Sequence, residues 1–530
     1  MIQEQSGQLV FGISREPIAI TSTTVPDTAM SRDRSEFNKD HDDVLSDHES
    51  DIDFSHSPPH PSRSITNIEP YGEQAFADLH QSIEDDSFFS MSRSEVLQVL
   101  KRAFKKELEY LKSAYAAACP GPADLQSQSP SELLFHRRVP EIDRTLTGIL
   151  ALRWLRNNDY DSFTQNQIST SRLSRRSFRE LRAFFDAGLG GYTDHEAVFT
   201  LVVMQMTNDL GKSSALAHDL QIRLPAGRHV SGNHDMVMQQ VLQYSHHLVP
   251  SIQHLSRHQR SLVHKLIVLS AEFNPGQLVQ AESSPATLDT LVELHVDSAE
   301  LDMKFMELFL DVAGARGHVD HEGAATMNEP TFQGYMQARV QSQKVTDGQL
   351  RPEQAYEGML QHRLDMLSDA GYIHDLDVTQ SRKAVAKARL LCMGRVADPV
   401  IAEFYEDVYE QLPAYTQGGL ERCLNIYATP AVQPTYMPAM LSWVRGPKRA
   451  EQLAALLTYL ARMVQLSEED LSALPDDVEI VERDVKDILE PLVKSDAFRE
   501  KPFSVVNDDT ELPVMEIAKR SSAHSHSSDS

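Results

Sequence analysis

Cysteine is nearly absent. The 530 residues hold three, Cys119, Cys392 and Cys423, far apart and without a CxxC pair, which excludes a disulfide framework and a cysteine-ligated zinc site. Long apolar runs are missing too: the longest inside a helical segment covers residues 198–204 and is interrupted by Thr200, whereas a bilayer crossing needs about 20 residues. The opening MIQEQSG has neither the basic nor the apolar stretch of a secretory signal. The expectation is an intracellular, cytoplasmic protein with no membrane partner. Positive charge is scarce, 50 Lys and Arg against 77 Asp and Glu for a net −27, which argues against a surface that coats nucleic acid. No Walker A loop, GxGxxG after a strand, GxSxG elbow or HExxH is present, and no repeat recurs at solenoid periods.

Helical periodicity fills most of the chain. Ser92-Arg93-Ser94-Glu95 has the form of a capping box, with Val96, Leu100, Phe104, Leu108 and Leu111 following at helical spacing; this helix is expected to run to about residue 118. Further helices are expected over 140–155, 194–207, 234–245, 256–273, 298–312, 352–367, 398–412, 448–465 and 485–492. Alternation suggests one short strand, 478–481. Residues 1–90 carry 18 acidic against 5 basic residues and too little apolar surface to offset the entropy of ordering them. The organisation expected is therefore an all-α protein: a disordered acidic tail over 1–90, a helical core over 91–395, a helical extension packed on it over 396–505, and a disordered tail over 506–530. Within the acidic tail, Ser46 and Ser50 precede acids as acid-directed kinases prefer.

The segment with most chemical content runs from Phe199 to Lys212, where a buried helix leads into Asn208-Asp209-Leu210-Gly211-Lys212. It resembles the metal-binding helix of the HD-domain phosphohydrolase superfamily, whose hallmark reads His-Asp-(Ile/Leu)-Gly-Lys. The resemblance implies an HD-like helical core in which histidines and aspartates hold one or two divalent metals, Mg²⁺, Mn²⁺, Fe²⁺ or Zn²⁺, that activate water against a phosphate ester. A bound cation lowers the pKa of its water and neutralises charge on the phosphoryl oxygens. Carried over, Asp209 is the bridging aspartate, Lys212 the phosphate-side lysine and His195 the first histidine or an acid. Asp311, ending an apolar helix, is the later aspartate, and His234 with Asp235 supplies the further metal ligands. Asn208 stands where the family has its histidine; an amide oxygen suits Mg²⁺ or Ca²⁺ better than a transition metal. Asp209 before Leu-Gly also reads as an ordinary helix end, and Asp311 as the partner of Arg316.

Two other features stand out. His318, Asp320, His321 and Glu322 lie in a glycine-punctuated loop over 314–333, able to line a pocket beside Asp311 or act as a lid. Arg172, Arg175, Arg176, Arg179 and Arg182 share a helix face able to take phosphate, RNA backbone or the chain's own acidic tail. Three functions follow as expectations. The first is an HD-like hydrolase of a small phosphorylated molecule, such as a nucleotide. The second is a non-catalytic helical interaction protein with a protein partner. The third is an HD-type di-iron oxygenase or an accessory protein of a biosynthetic pathway.

Overall fold

Polar caps start the helices where the sequence places them. Ser92 accepts from the Glu95 N–H and donates its own N–H to the Glu95 carboxylate, Asp194 accepts from the Ala197 N–H at 3.0 Å, and Ser256 with Gln259 forms a second reciprocal box. In this computed structural model the described residues are 70–114, 127–231, 234–283, 285–425, 441, 444–471, 480–482, 486–507, 509–512 and 516–518. Among them the chain is all-α. The helices of eight or more residues, in chain order, are α1 (Pro70–Glu84), α2 (Arg93–Ala103), α3 (Pro140–Arg156), α4 (Arg175–Gly188), α5 (His195–Thr207), α6 (Ser214–Gln221), α7 (His234–Ser245) and α8 (Arg257–Glu272). They continue with α9 (Ser298–Gly314), α10 (Glu329–Thr346), α11 (Pro352–Asp369), α12 (Arg382–Met393), α13 (Pro399–Gln411), α14 (Ala414–Cys423), α15 (Arg449–Leu471) and α16 (Lys486–Lys494). None is long and apolar enough to cross a membrane.

Several expectations need correction. Residues 70–84, expected within the tail, are helical: α1 carries Phe76, Leu79 and Ile83, all buried, in an i, i+3, i+7 stripe that packs on α2 and α5 and offsets the acidic composition around it. The expected tail over residues 1–69 lies outside the described residues. The helix from Ser92 breaks at Phe104, whose backbone (φ −100°, ψ 36°) leaves the helical region before a short helix Lys105–Leu111. The tail beyond 506 is structured in part: Glu516–Ala518 pairs antiparallel with Ile480–Glu482, which places the expected strand two residues late. Helices α6, α10, α12 and α14 were not expected, and α4 carries the arginines read as sharing a helix face.

Helices α3, α5 and α9 pack on one another, with α8 laid against α5 and α9 and α7 against α8, and α9 hands the chain through α10 and α11 to the C-terminal helices. One apolar cluster runs from Phe76 to Val506. The α3–α9 crossing is the most extensive helix contact, and it is close because it has glycine on both sides. A Cβ on Gly148 would lie 2.6 Å from the Leu310 carbonyl oxygen, and one on Gly314 2.2 Å from that of Arg144. Helix propensity alone favours alanine over glycine by roughly 1 kcal/mol. Here the sign reverses: Gly148→Ala is expected to destabilise the protein by about 2 kcal/mol or more, read as a lower midpoint in thermal or denaturant unfolding.

Candidate functional site

The crossing of α3, α5 and α9 holds ionised side chains where an apolar core would be expected. Helix α5 is apolar on all sides and buried from Val198 to Thr207, then tightens into a 3₁₀ turn, Asn208–Lys212. Gly211 lets that turn lie directly on the start of α7, since a Cβ there would be 1.9 Å from the His234 carbonyl oxygen. The turn delivers Asp209, 3% exposed, and Lys212 into the interior. Lys212 Nζ is 3.0 Å from Asp209 Oδ1 and 3.7 Å from Glu141 Oε2 of α3. Arg144, one turn further along α3, donates to Glu141 Oε1 at 3.2 Å. Helix α9 adds Lys304 and Glu307, joined at 2.7 Å, and Asp311 one turn beyond. Helix α7 adds His234 and Asp235, 3.8 Å apart.

Five of the six residues carried by the motif and its neighbours are thus brought together: Asp209, Lys212, His234, Asp235 and Asp311. His195 does not join them. It is half-buried at the first turn of α5, about 20 Å of helix from the 3₁₀ turn. Glu141, Arg144, Lys304 and Glu307 belong to the cluster and were not singled out from the sequence. For Lys304 and Glu307 the signal was present: with Asp311 they stand at i, i+3, i+7 on a helix otherwise largely apolar. Asp209 and Glu307 push the Asp311 carboxyl toward its neutral form, and Arg144 and Lys212 pull against them. The loop expected as a lid is stitched down. Ser127 Oγ meets His321 Nε2 at 3.0 Å and also bonds Glu322, Asn166 donates to Asp320 at 2.7 Å, and the Ala324 N–H donates to the Phe163 carbonyl at 2.9 Å.

Electrostatics sort the carboxyls into two kinds. Burial pushes Asp209 up, but Lys212, Arg144 and His234 outweigh it and hold the carboxyl well below its usual range. Burial pushes Glu141 up, more than Arg144 and Lys212 can offset. Asp311 is raised to about 7 by burial and by the Asp209 charge, against the pull of Arg144 and Lys212. Burial would lower Lys212, yet Asp209 and Glu141 keep it above the ordinary lysine range and therefore charged.

A divalent cation would need the lone pairs of these carboxylates. The ammonium of Lys212 already lies between Asp209 and Glu141, and the guanidinium of Arg144 takes the other Glu141 oxygen. Among the described residues no group of three or more His, Cys, Asp or Glu side chains is arranged to hold a metal ion. The donor set as it stands does not fit a metal. Beside the cluster a recess of ≈ 20 Å³, lined by Asn208, Asp235, Lys304 and Glu307 with Met204 and Leu266, has room for about one water molecule.

An all-α protein with a salt-bridged helical interior is the class that this fold and site define. The chain belongs to a family of unknown function, DUF6829, whose model matches residues 97–505. No curated protein and no solved structure matches it.

Two outcomes test the cluster. Lys212→Met leaves the Asp209 carboxylate buried without its nearest cation and is expected to cost about 3–5 kcal/mol of stability in denaturant unfolding. Asp311→Asn should act in the opposite direction and only at high pH. Because the folded-state pKa of Asp311 is raised from 3.8 to about 7, ionising it penalises the folded state progressively as pH rises between those values. An amide removes that penalty. The variant should gain about 1–3 kcal/mol at pH 8 and nothing near pH 4.

Proposed function

We propose that this chain is a non-catalytic helical interaction protein, intracellular, built on an HD-like frame whose metal centre has been rebuilt as an internal ion-pair cluster. The observation that carries the reading is the position of Lys212 Nζ, 3.0 Å from Asp209. In the resembled family that aspartate bridges metals and the lysine faces substrate phosphate; here the lysine is turned inward, 10% exposed, and neutralises the aspartate itself. Asn208 in the histidine position and His195 at the far end of α5 point the same way. Under this reading the protein acts through its surface on a protein partner.

A second reading, the metal-dependent phosphohydrolase, is favoured by the convergence of Asp209, His234, Asp235 and Asp311 and by the recess beside them. It requires Lys212 to leave Asp209 so that metal and phosphate can enter. Elemental analysis of untagged protein after incubation with Mg²⁺, Mn²⁺, Fe²⁺ and Zn²⁺, beside Asp209→Asn, separates the two. Only traces in both samples are expected, with no rise in unfolding temperature on adding Mn²⁺. Near-stoichiometric metal that disappears in Asp209→Asn would overturn the non-catalytic reading, and iron in pairs would direct attention to oxygenation.

A further inference from the structure

Helix α4 divides its surface by charge. Phe178, Leu181, Phe184 and Phe185 are buried, whereas Arg172, just ahead of the helix, and Arg175, Arg176 and Arg179 are exposed and Arg182 is half-buried. At 100° per residue, positions 175, 179 and 182 fall within an arc of about 60° and span about 10 Å of helix axis. Three of the five guanidinium groups have a carboxylate nearby: Arg175 with Asp161 at 3.0 Å, Arg176 with Glu180 at 3.7 Å and Arg182 with Asp186 at 3.9 Å. These partners are themselves solvated; the Asp161 side chain is 85% exposed, so a competing polyanion can displace them. Arg172 and Arg179 donate to the carbonyl oxygens of Gln167 and Arg175, and no carboxylate among the described residues pairs with either. The face therefore keeps a positive excess in a chain of net charge −27.

The complement is in the same chain. Residues 42–53 hold six acids (Asp42, Asp43, Asp47, Glu49, Asp51 and Asp53) and no lysine or arginine. The sixteen residues that separate this segment from Pro70 can span up to about 50 Å. The later part of α1 and the residues just after it lie near the segment that joins α4 to α5. His80 of α1 meets Glu196 at 3.1 Å in the first turn of α5, the helix that follows α4. Arg156 joins Asp86, just after α1, to the ring of Tyr192, between α4 and α5.

We propose that the arginine face of α4 docks the chain's own acidic segment, residues 42–53, so that the surface through which the protein meets other anionic partners is covered in cis. Covalent tethering sets an effective concentration in the millimolar range, enough to favour a contact too weak between separate molecules. Ser46 and Ser50 lie inside the segment, each followed by an acid; a phosphate on either adds charge and acceptor oxygens to which guanidinium groups donate bidentately. This inference does not depend on the HD-like reading, because none of these arginines touches the interior cluster.

The test uses the full chain with nitroxide labels at Ser50→Cys and Ala183→Cys, Cys119 and Cys423 being replaced by serine, and measures the distance distribution by pulsed electron resonance. A short-distance population is expected at low salt and should be lost at about 0.5 M NaCl, where the Debye length is only a few ångström. It should be lost in Arg175→Glu/Arg176→Glu/Arg179→Glu, lost equally in Asp42→Lys/Asp43→Lys/Asp47→Lys/Asp51→Lys, and regained when both sets are reversed together. Regain excludes misfolding as the cause of the losses. A distribution indifferent to salt and to both reversals would overturn the proposal. So would saturable binding of a single-stranded RNA probe to the same arginines with the label distances unmoved, which would give the face to nucleic acid.

Discussion

The ion pair between Lys212 and Asp209, 3.0 Å apart and almost wholly out of solvent, is the constraint to which the surrounding helices conform. At an effective dielectric of about 20, two charges at that distance attract by roughly 5 kcal/mol. Burying each ion costs several kcal/mol even after relaxation. The two magnitudes nearly cancel, so the pair adds little net stability. What it adds is intolerance of misplacement: a shift that parts the two ions leaves both desolvation costs uncompensated. Both ions sit on one 3₁₀ turn, so the tie to α3 runs through Glu141, 3.7 Å from Lys212 Nζ, and the glycines at the helix contacts, Gly148, Gly211 and Gly314, give the close approach that burying the cluster requires.

The cluster is larger than its central pair, and its charges do not balance. Glu141, Asp209, Asp235, Glu307 and Asp311 bring five carboxyls against the three permanent cations Arg144, Lys212 and Lys304. Protons make up part of the difference. Burial raises Glu141, Glu307 and Asp311 while Asp209, closest to Lys212, stays ionised. This is the pattern expected when carboxyls share a dry site and cannot all ionise together. A metal centre of similar geometry would resolve the same imbalance with a divalent ion. In this chain two basic side chains from within the bundle do much of that work.

Much of this was legible in the sequence, for identifiable reasons. Helices α3, α5, α9 and α11 bury broad apolar faces and start on a side-chain cap or an N-terminal proline, and their bounds follow the periodicity closely. Helix α12 escaped notice because its buried side includes Ala384, Ala386, Ala388, Lys387 and Arg389, and α10 because Gly334, Ala338, Gln341 and Ser342 line its contacts. Small and polar residues pack well without making an apolar stripe. In the site, Asp209, Lys212 and Asp311 could be found because an acid or a base interrupts an apolar helix or ends one. Glu141 and Arg144 could not, since at the amino-terminal turn of α3 after Pro140 an acid and a base look like ordinary first-turn polarity. Only the crossing of α9 over that turn puts them indoors. The inward turn of Lys212 was equally hidden: the same five letters serve a lysine facing substrate or one facing its own aspartate, and the choice is made by helices distant in sequence.

Charge in this protein works in two regimes that respond to different variables. Inside, ions about 3 Å apart in a site with almost no solvent are barely screened by salt and answer to pH, through carboxyls displaced toward neutrality. Outside, the arginines of α4 stand largely in solvent, and the pull they exert on an anion decays over a Debye length of about 8 Å at physiological ionic strength. Nearly half of the net charge falls within the first 90 residues, where 18 acids face 5 bases, whereas the interior comes close to compensating itself. An interaction that depends on the chain's overall acidity is therefore governed by its amino-terminal sixth and by whatever basic surface that segment can reach. The buried cluster, indifferent to salt, supplies the rigid frame on which such a surface can be presented.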